Sequence, residues 1–169
     1  MKNIKLKKIL LIDDNITIHE DFYKILRLNA NDILNPIVNE AEENLFGLTI
    51  SPEKKEKISY LIDSTCQGEE ALVMVRDALH NDEPYALAFV DIRMPSGWDG
   101  IITIKKIWEV DPDIQIVVCS AYSDYSWEEI SILLHHSDNF LILKKPFEVI
   151  EVRQLASVLT RKWELQKRD

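Results

Sequence analysis

Tyr85-Ala86-Leu87-Ala88-Phe89-Val90-Asp91 decides the reading of this chain, because six apolar residues run without a polar break into one carboxylate. A strand with one wet face alternates apolar and polar side chains. An unbroken run fits a strand buried on both faces, as in a parallel sheet covered by helices. Comparable runs lie on either side: Ile9-Leu10-Leu11-Ile12, Ile58-Ser59-Tyr60-Leu61-Ile62, Ile114-Gln115-Ile116-Val117-Val118-Cys119 and Phe140-Leu141-Ile142-Leu143. Between and after them apolar residues return at helical spacing: Ile18, Phe22, Ile25, Leu26; Ala71, Val75, Ala78, Leu79; Ile101, Ile104, Trp108; Ile130, Leu133, Leu134; and Val152, Leu155, Leu159, Trp163. Ser126, with Glu129 three residues on, reads as a capping box for the fourth helix. Five strand–helix units with right-handed crossovers predict an α/β fold, a doubly wound (βα)5 three-layer sandwich.

At 169 residues and 46% hydrophobic, the chain has the length of one domain and enough apolar mass for a core, which excludes overall disorder. Lys and Arg number 20 against 29 Asp and Glu, a net charge of −9 that argues against nucleic-acid or anionic-membrane partners. No stretch approaches the ~20 apolar residues of a membrane span. The basic start Met1-Lys2-Asn3-Ile4-Lys5-Leu6-Lys7-Lys8 leads into only four apolar residues, too few for a secretory signal. Cys66 and Cys119 are far apart and have no His or Cys at metal-ligand spacing, so a reduced, cytoplasmic compartment is expected. One segment breaks the rhythm. At about 29–57 an Asn-rich yet apolar insertion separates the first helix from the second strand, and we read it as a short helix around 40–46 packed on the domain edge, with a dimerisation or partner arm as the alternative. The last helix is expected at about 148–167, so that 1–169 reads as a single domain, either complete or the N-terminal piece of a longer regulator.

The chemistry lies at the residues that close each apolar run. The first ends in Asp13-Asp14, the third in Asp91, the fourth in Ser120 and the fifth in Lys144-Lys145-Pro146. Parallel strands all deliver these residues to one edge, the carboxyl end, where ligands of open α/β sheets bind. Carboxylates gathered in one pocket raise each other's pKa unless a cation neutralises them, and Mg²⁺, an oxygen-seeking ion that keeps waters and phosphate oxygens as ligands, meets that need. The lack of His or Cys disfavours zinc. A metal, an ammonium and a hydroxyl around a carboxylate are what a transferring phosphoryl group needs, and the carboxylate can itself be the nucleophile. Asp13-Asp14 taken alone would read as a helix cap, Ser120 as a loop hydroxyl and Lys145 as a solvated lysine. Together they read as a site.

In these residues the sequence resembles the receiver domains of bacterial two-component response regulators. The resemblance is carried by Leu10-Leu11-Ile12-Asp13-Asp14, Asp91-Ile92-Arg93-Met94-Pro95 with Gly97 and Asp99-Gly100, Ser120-Ala121, and Lys145-Pro146-Phe147, in the family's order. It implies a flavodoxin-like parallel sheet of order 2-1-3-4-5 and a signalling switch rather than an enzyme acting on other molecules. Asp91 would be the phosphoacceptor. Asp14 would ligate Mg²⁺ directly and Asp13 through water, with Asp91 and the backbone carbonyl of Arg93 as further ligands. Ser120 would bind a phosphoryl oxygen and Lys145 would pair with Asp91. The implied partner is a sensor histidine kinase or histidine phosphotransfer protein, with an output domain C-terminal to this chain and a homodimer left open. Two rivals remain: a Mg²⁺-dependent phosphohydrolase with an aspartyl nucleophile, which wants an acid where Arg93 stands, and a degenerate binding-only receiver, which would have lost a site residue.

The sequence departs from the family at three places. Arg93 and Tyr122, each two residues beyond a site residue, are bulky where the family's side chains border the attacking water. The place of the family's switch aromatic is Ile142, so Phe140 or Tyr122 is the candidate substitute. Shielding by Arg93 and Tyr122 predicts slow loss of an Asp91-bound phosphoryl group. The combined Arg93→Asn, Tyr122→Ala variant is therefore expected to lose that group faster than the native chain, and a longer half-life in the variant would contradict the shielding.

Overall fold

A computed structural model describes residues 6–27, 59–121 and 124–168. The insertion expected at about 29–57, with its short helix, and Tyr122 lie outside the described residues. The elements in chain order are β1 (Leu6–Ile12), α1 (Ile16–Arg27), β2 (Ser59–Thr65), α2 (Gly68–His80), β3 (Tyr85–Asp91), α3 (Gly100–Val110), β4 (Gln115–Ser120), α4 (Trp127–Leu133), β5 (Phe140–Lys144) and α5 (Val149–Arg168). All strand pairs are parallel and the sheet order is β2-β1-β3-β4-β5, the flavodoxin-like α/β arrangement.

The unbroken apolar runs fall where two-sided burial demands them. Every residue of β3 and β4 is buried. Successive side chains point to opposite faces. Leu10, Ile12, Ala88, Val90, Ile116 and Val118 pack against Ala71 and Val75 of α2, Ile104 and Ile107 of α3 and Ile130 of α4. Their neighbours Ile9, Leu11, Leu87, Phe89 and Val117 pack against Phe22 and Ile25 of α1 and Val152, Ala156 and Leu159 of α5. These are the three layers. Edge strand β2 is only half buried and leaves Leu61 exposed.

α5 keeps its apolar stripe for three turns and then changes chemistry. Beyond Leu159 the inward positions are Thr160 and Glu164, whereas Trp163, expected in the stripe, is only half-buried. Glu164 is buried with Lys7 of β1 at 3.2 Å and also pairs with Arg161 and Arg168. A buried carboxylate needs such partners to remain charged. The pair tethers the end of α5 to the start of β1.

α4 has the predicted capping box: the Ser126 hydroxyl accepts the Glu129 N–H while Glu129 accepts the Ser126 N–H. The helix stops at Leu133, followed by His135 and His136 in the left-handed region (φ 56° and 55°), with the His136 N–H donating to the Ser131 carbonyl. Among the described residues no helix is long and apolar enough to cross a membrane.

Gly100, which opens α3, sits directly against the backbone of the acid that ends β3. A Cβ there would lie 2.3 Å from the Asp91 carbonyl oxygen and 2.6 Å from Ile92 Cα. The Gly100 N–H donates to the Ile92 carbonyl at 3.0 Å. Asp99 caps the helix by accepting the Ile102 N–H at 2.9 Å. The Asp99-Gly100 pair thus lets α3 begin flush against the strand end and fixes the loop after Asp91.

Candidate functional site

β1 lies between β2 and β3, so the strand order reverses beside it, and the crevice at its carboxyl end is the topological switch point. Asp13 and Asp14 come directly after β1, and Asp91 closes the neighbouring β3. Ligand oxygens of Asp13, Asp14 and Asp91 lie within 4.8 Å of one another, with Asp13 and Asp91 buried and Asp14 exposed. The cluster therefore has a dry floor and one wet side.

The acid pair is kept from the capping role it would otherwise take. Asn15 occupies that role, its side-chain oxygen accepting the Thr17 N–H at 3.0 Å. The Asn15 N–H in turn donates to Asp13 Oδ1 at 2.9 Å. His19, buried on α1, donates from Nε2 to the Asp13 carbonyl at 2.7 Å and pins the loop from below.

Lys145 reaches in from the end of β5. Its ammonium lies 3.1 Å from Asp13 Oδ2 and 3.3 Å from Asp91 Oδ1, bridging both buried acids. Its backbone N–H donates to the Ser120 carbonyl at 2.8 Å, which ties β5 to β4 at the rim. The Lys145–Pro146 peptide is cis. Burial would lower the Lys145 pKa, but the charges of Asp13 and Asp91 outweigh it and hold the ammonium above its ordinary value. Asp91 is pushed up, first by burial and then by the charge of Asp13, and Lys145 offsets only part of this. Cys119, buried next to the site on β4, has its thiol pushed up by burial, which suits a packing residue and not a nucleophile.

Ser120, the last residue of β4, is fully buried. Its hydroxyl is directed to the Ala121 carbonyl at 3.1 Å and Asp124 Oδ2 at 3.4 Å. The Arg93 N–H approaches Asp91 Oδ1 at 3.4 Å, while the Arg93 side chain turns away to pair with Asp124. The structure thus gathers Asp13, Asp14, Asp91 and Lys145 directly, and sets Ser120 at the end of β4 and Arg93 on the loop after β3. Phe140 is a different case. Sheet register places it opposite Ile116, whereas Ile142 stands opposite Val118 and Lys144 opposite Ser120. Phe140 is buried in the core several rungs below the rim, so it lacks direct reach to Ser120.

Three residues shape the site without having been legible as parts of it: Asn15, His19 and Asp124. Asn15 carried a signal, since Asn is a favoured cap immediately before an apolar-periodic segment. His19 and Asp124 act through contacts that only the folded loops create.

The donor set is all oxygen, and the two buried acids share one ammonium between them. These residues fit a hard divalent cation such as Mg²⁺, whose charge would offset the burial and the repulsion that raise Asp91.

The fold is that of response-regulator receiver domains. Solved structures similar to the chain include a receiver protein from Sinorhizobium medicae (19% identity, TM-score 0.62, covering 94% of this chain and 98% of that one). A CheY-like receiver from Methanospirillum hungatei is similar at 18% identity and TM-score 0.64, covering 96% and 99%. The receiver domain of NtrX from Brucella abortus is similar at 18% identity and TM-score 0.58, covering 90% and 98%. No family model matches the sequence and no curated protein matches it.

The raised pKa of Asp91 has a sign that stability can read. The folded chain holds this proton more tightly than the unfolded chain, so ionising Asp91 opposes folding above the ordinary carboxylate range. In metal-free buffer Asp91→Asn is expected to melt above the native chain near neutral pH. The gap should close as pH falls through the raised Asp91 pKa, where both side chains are neutral. An Asp91→Asn variant that melts lower at neutral pH would contradict this electrostatic picture.

Proposed function

We propose that the chain is a phosphoacceptor receiver domain that takes a phosphoryl group from a phosphohistidine donor onto Asp91. The observation that carries this reading is the convergence of Asp13, Asp14 and Asp91 around one ammonium at the strand ends. In the transfer, an Asp91 carboxylate oxygen forms a bond to phosphorus as the donor's P–N bond breaks. The imidazole leaves with the bonding pair and takes up a proton, and the product is an acyl phosphate. Asp91 stands at the end of β3, with the Arg93 N–H 3.4 Å from its Oδ1.

Asp13, Asp14, Asp91 and the Arg93 backbone carbonyl would hold Mg²⁺, which when bound supplies positive charge to the transferring phosphoryl oxygens. Lys145 is placed to shift from the Asp91 carboxylate to the phosphoryl group, and Ser120 to donate its hydroxyl to a phosphoryl oxygen. A sensor histidine kinase or histidine phosphotransfer protein is the donor this chemistry requires, and the cytoplasm is where such a donor would meet it.

The charge change would be read on the face formed by α4, β5 and α5. Trp127, Ile132, Leu141, Val149 and Ile150 are all exposed there. Ser120 ends β4 and Lys145 follows β5, at the starts of the connections to α4 and α5, so their movement toward a new dianion would bias that face toward an output domain or a second copy.

Incubation with acetyl phosphate and Mg²⁺, followed by intact-mass measurement, tests the reading. The native chain should gain one acid-labile phosphoryl group, Asp91→Asn none, and a chelator should abolish the gain. An acid-stable adduct, or labelling that survives Asp91→Asn, would overturn the assignment.

A further inference from the structure

The loops after β3 and β4 are joined by an ion pair that lies outside the carboxylate cluster. Arg93 Nε pairs with Asp124 Oδ1. The other oxygen of that carboxylate accepts the Ala121 N–H at 2.8 Å and faces the Ser120 hydroxyl at 3.4 Å. One acid therefore engages both Arg93, two residues beyond Asp91, and Ser120, at the end of the neighbouring strand β4. The two members of the pair differ in exposure: the Asp124 side chain is 3% exposed and the Arg93 side chain 72%.

We propose that Asp124 is a positioning residue that holds Ser120 and Arg93 back from Asp91 until a phosphoryl-sized anion arrives, whereupon Arg93 passes from Asp124 to the anion. The inference rests on reading Asp91 as the phosphoacceptor. Ser120 has a single hydroxyl proton, and it is directed to the Ala121 carbonyl and Asp124. It reaches a phosphoryl oxygen only by rotating out of that arrangement. Asp124 and a phosphoryl dianion also compete for one guanidinium. The dianion offers more charge and more acceptor oxygens, and Arg93 begins two residues from it on the solvent side, where a swing meets little packing. Asp124 keeps the Ala121 N–H after the exchange, so its buried carboxylate is not stranded.

A merely structural pair and an exchanging pair differ in sign. If the pair only braces the loops, losing either partner loosens the site and weakens anion binding. If it exchanges, removing the Asp124 charge frees both donors, whereas removing Arg93 deletes a contact to the anion and leaves Asp124 to repel it.

The test is titration of the full chain with beryllofluoride, a phosphoryl mimic, in saturating Mg²⁺, with Mg²⁺ affinity measured separately. Asp124→Asn, which still accepts the Ala121 N–H, should tighten beryllofluoride binding by about fivefold, the scale of a partly exposed ion pair. Arg93→Ala should weaken it by a similar factor, and Arg93→Lys should recover most of the loss. Mg²⁺ affinity should be unchanged in Asp124→Asn, and the Arg93 variants are compared at Mg²⁺ saturation for each. Should Asp124→Asn fold poorly, Asp124→Ser takes its place: tightening supports the exchange, and weakening overturns it. Equal beryllofluoride affinity in the native chain and Arg93→Ala, or a shift of the same sign in Arg93→Ala and Asp124→Asn, overturns the exchange and leaves the Asp91 assignment standing. A native chain that binds Mg²⁺ but no beryllofluoride overturns the Asp91 assignment and the exchange with it.

Discussion

Like-charge repulsion among Asp13, Asp14 and Asp91 is the constraint around which this end of the molecule is organised. Carboxylate oxygens held within 4.8 Å of one another, two of the acids buried, oppose folding unless something compensates. Lys145 compensates in part by standing between Asp13 and Asp91, and it can do so because β5 ends beside β4, with the Lys145 N–H fastened to the Ser120 carbonyl. Asp91 is still held above the ordinary carboxylate range, first by its burial and then by the charge of Asp13. A rim that stores unfavourable charge in this way suits a hard cation.

The scaffold absorbs the cost by rigidity. β1 and β3 are buried from both sides by α1 and α5 on one face and α2, α3 and α4 on the other, so their ends cannot splay to relieve the repulsion. Gly100 brings α3 against the backbone of Asp91, Asn15 takes the capping duty that would have occupied the acid pair, and His19 pins the Asp13 carbonyl. Interiors packed at crystal-like density transmit such constraints without yielding. Beyond these strand ends, Arg93 and Asp124 join the loops after β3 and β4 by an ion pair.

The layers and the strand ends were legible in the sequence because both arise from one-dimensional patterns. Apolar runs such as Tyr85 to Val90 signal two-sided burial, and parallel direction then gathers the residues at the end of each run, which is why Asp13, Asp14, Asp91, Ser120 and Lys145 could be named from spacing. The capping box at Ser126 and Glu129 was equally local. Other features depended on three dimensions. That Asp124 reaches both Ser120 and Arg93 is set by how two loops face each other. That Glu164 rather than Trp163 turns inward on α5 depends on Lys7, more than 150 residues away in the chain. Phe140 looked interchangeable with Ile142 because they share a strand face; only register shows that it lies too deep to meet Ser120.

Mn²⁺ substituted for Mg²⁺ reports whether these acids hold one cation at the strand ends. Paramagnetic broadening of backbone amide signals should be strongest at residues 13–15 and 91–93, weaker at 120–121 and 145, and absent from α2 beyond its first turn and from the far ends of the strands. Broadening centred on any other acidic surface, or spread evenly over the chain, would contradict the account.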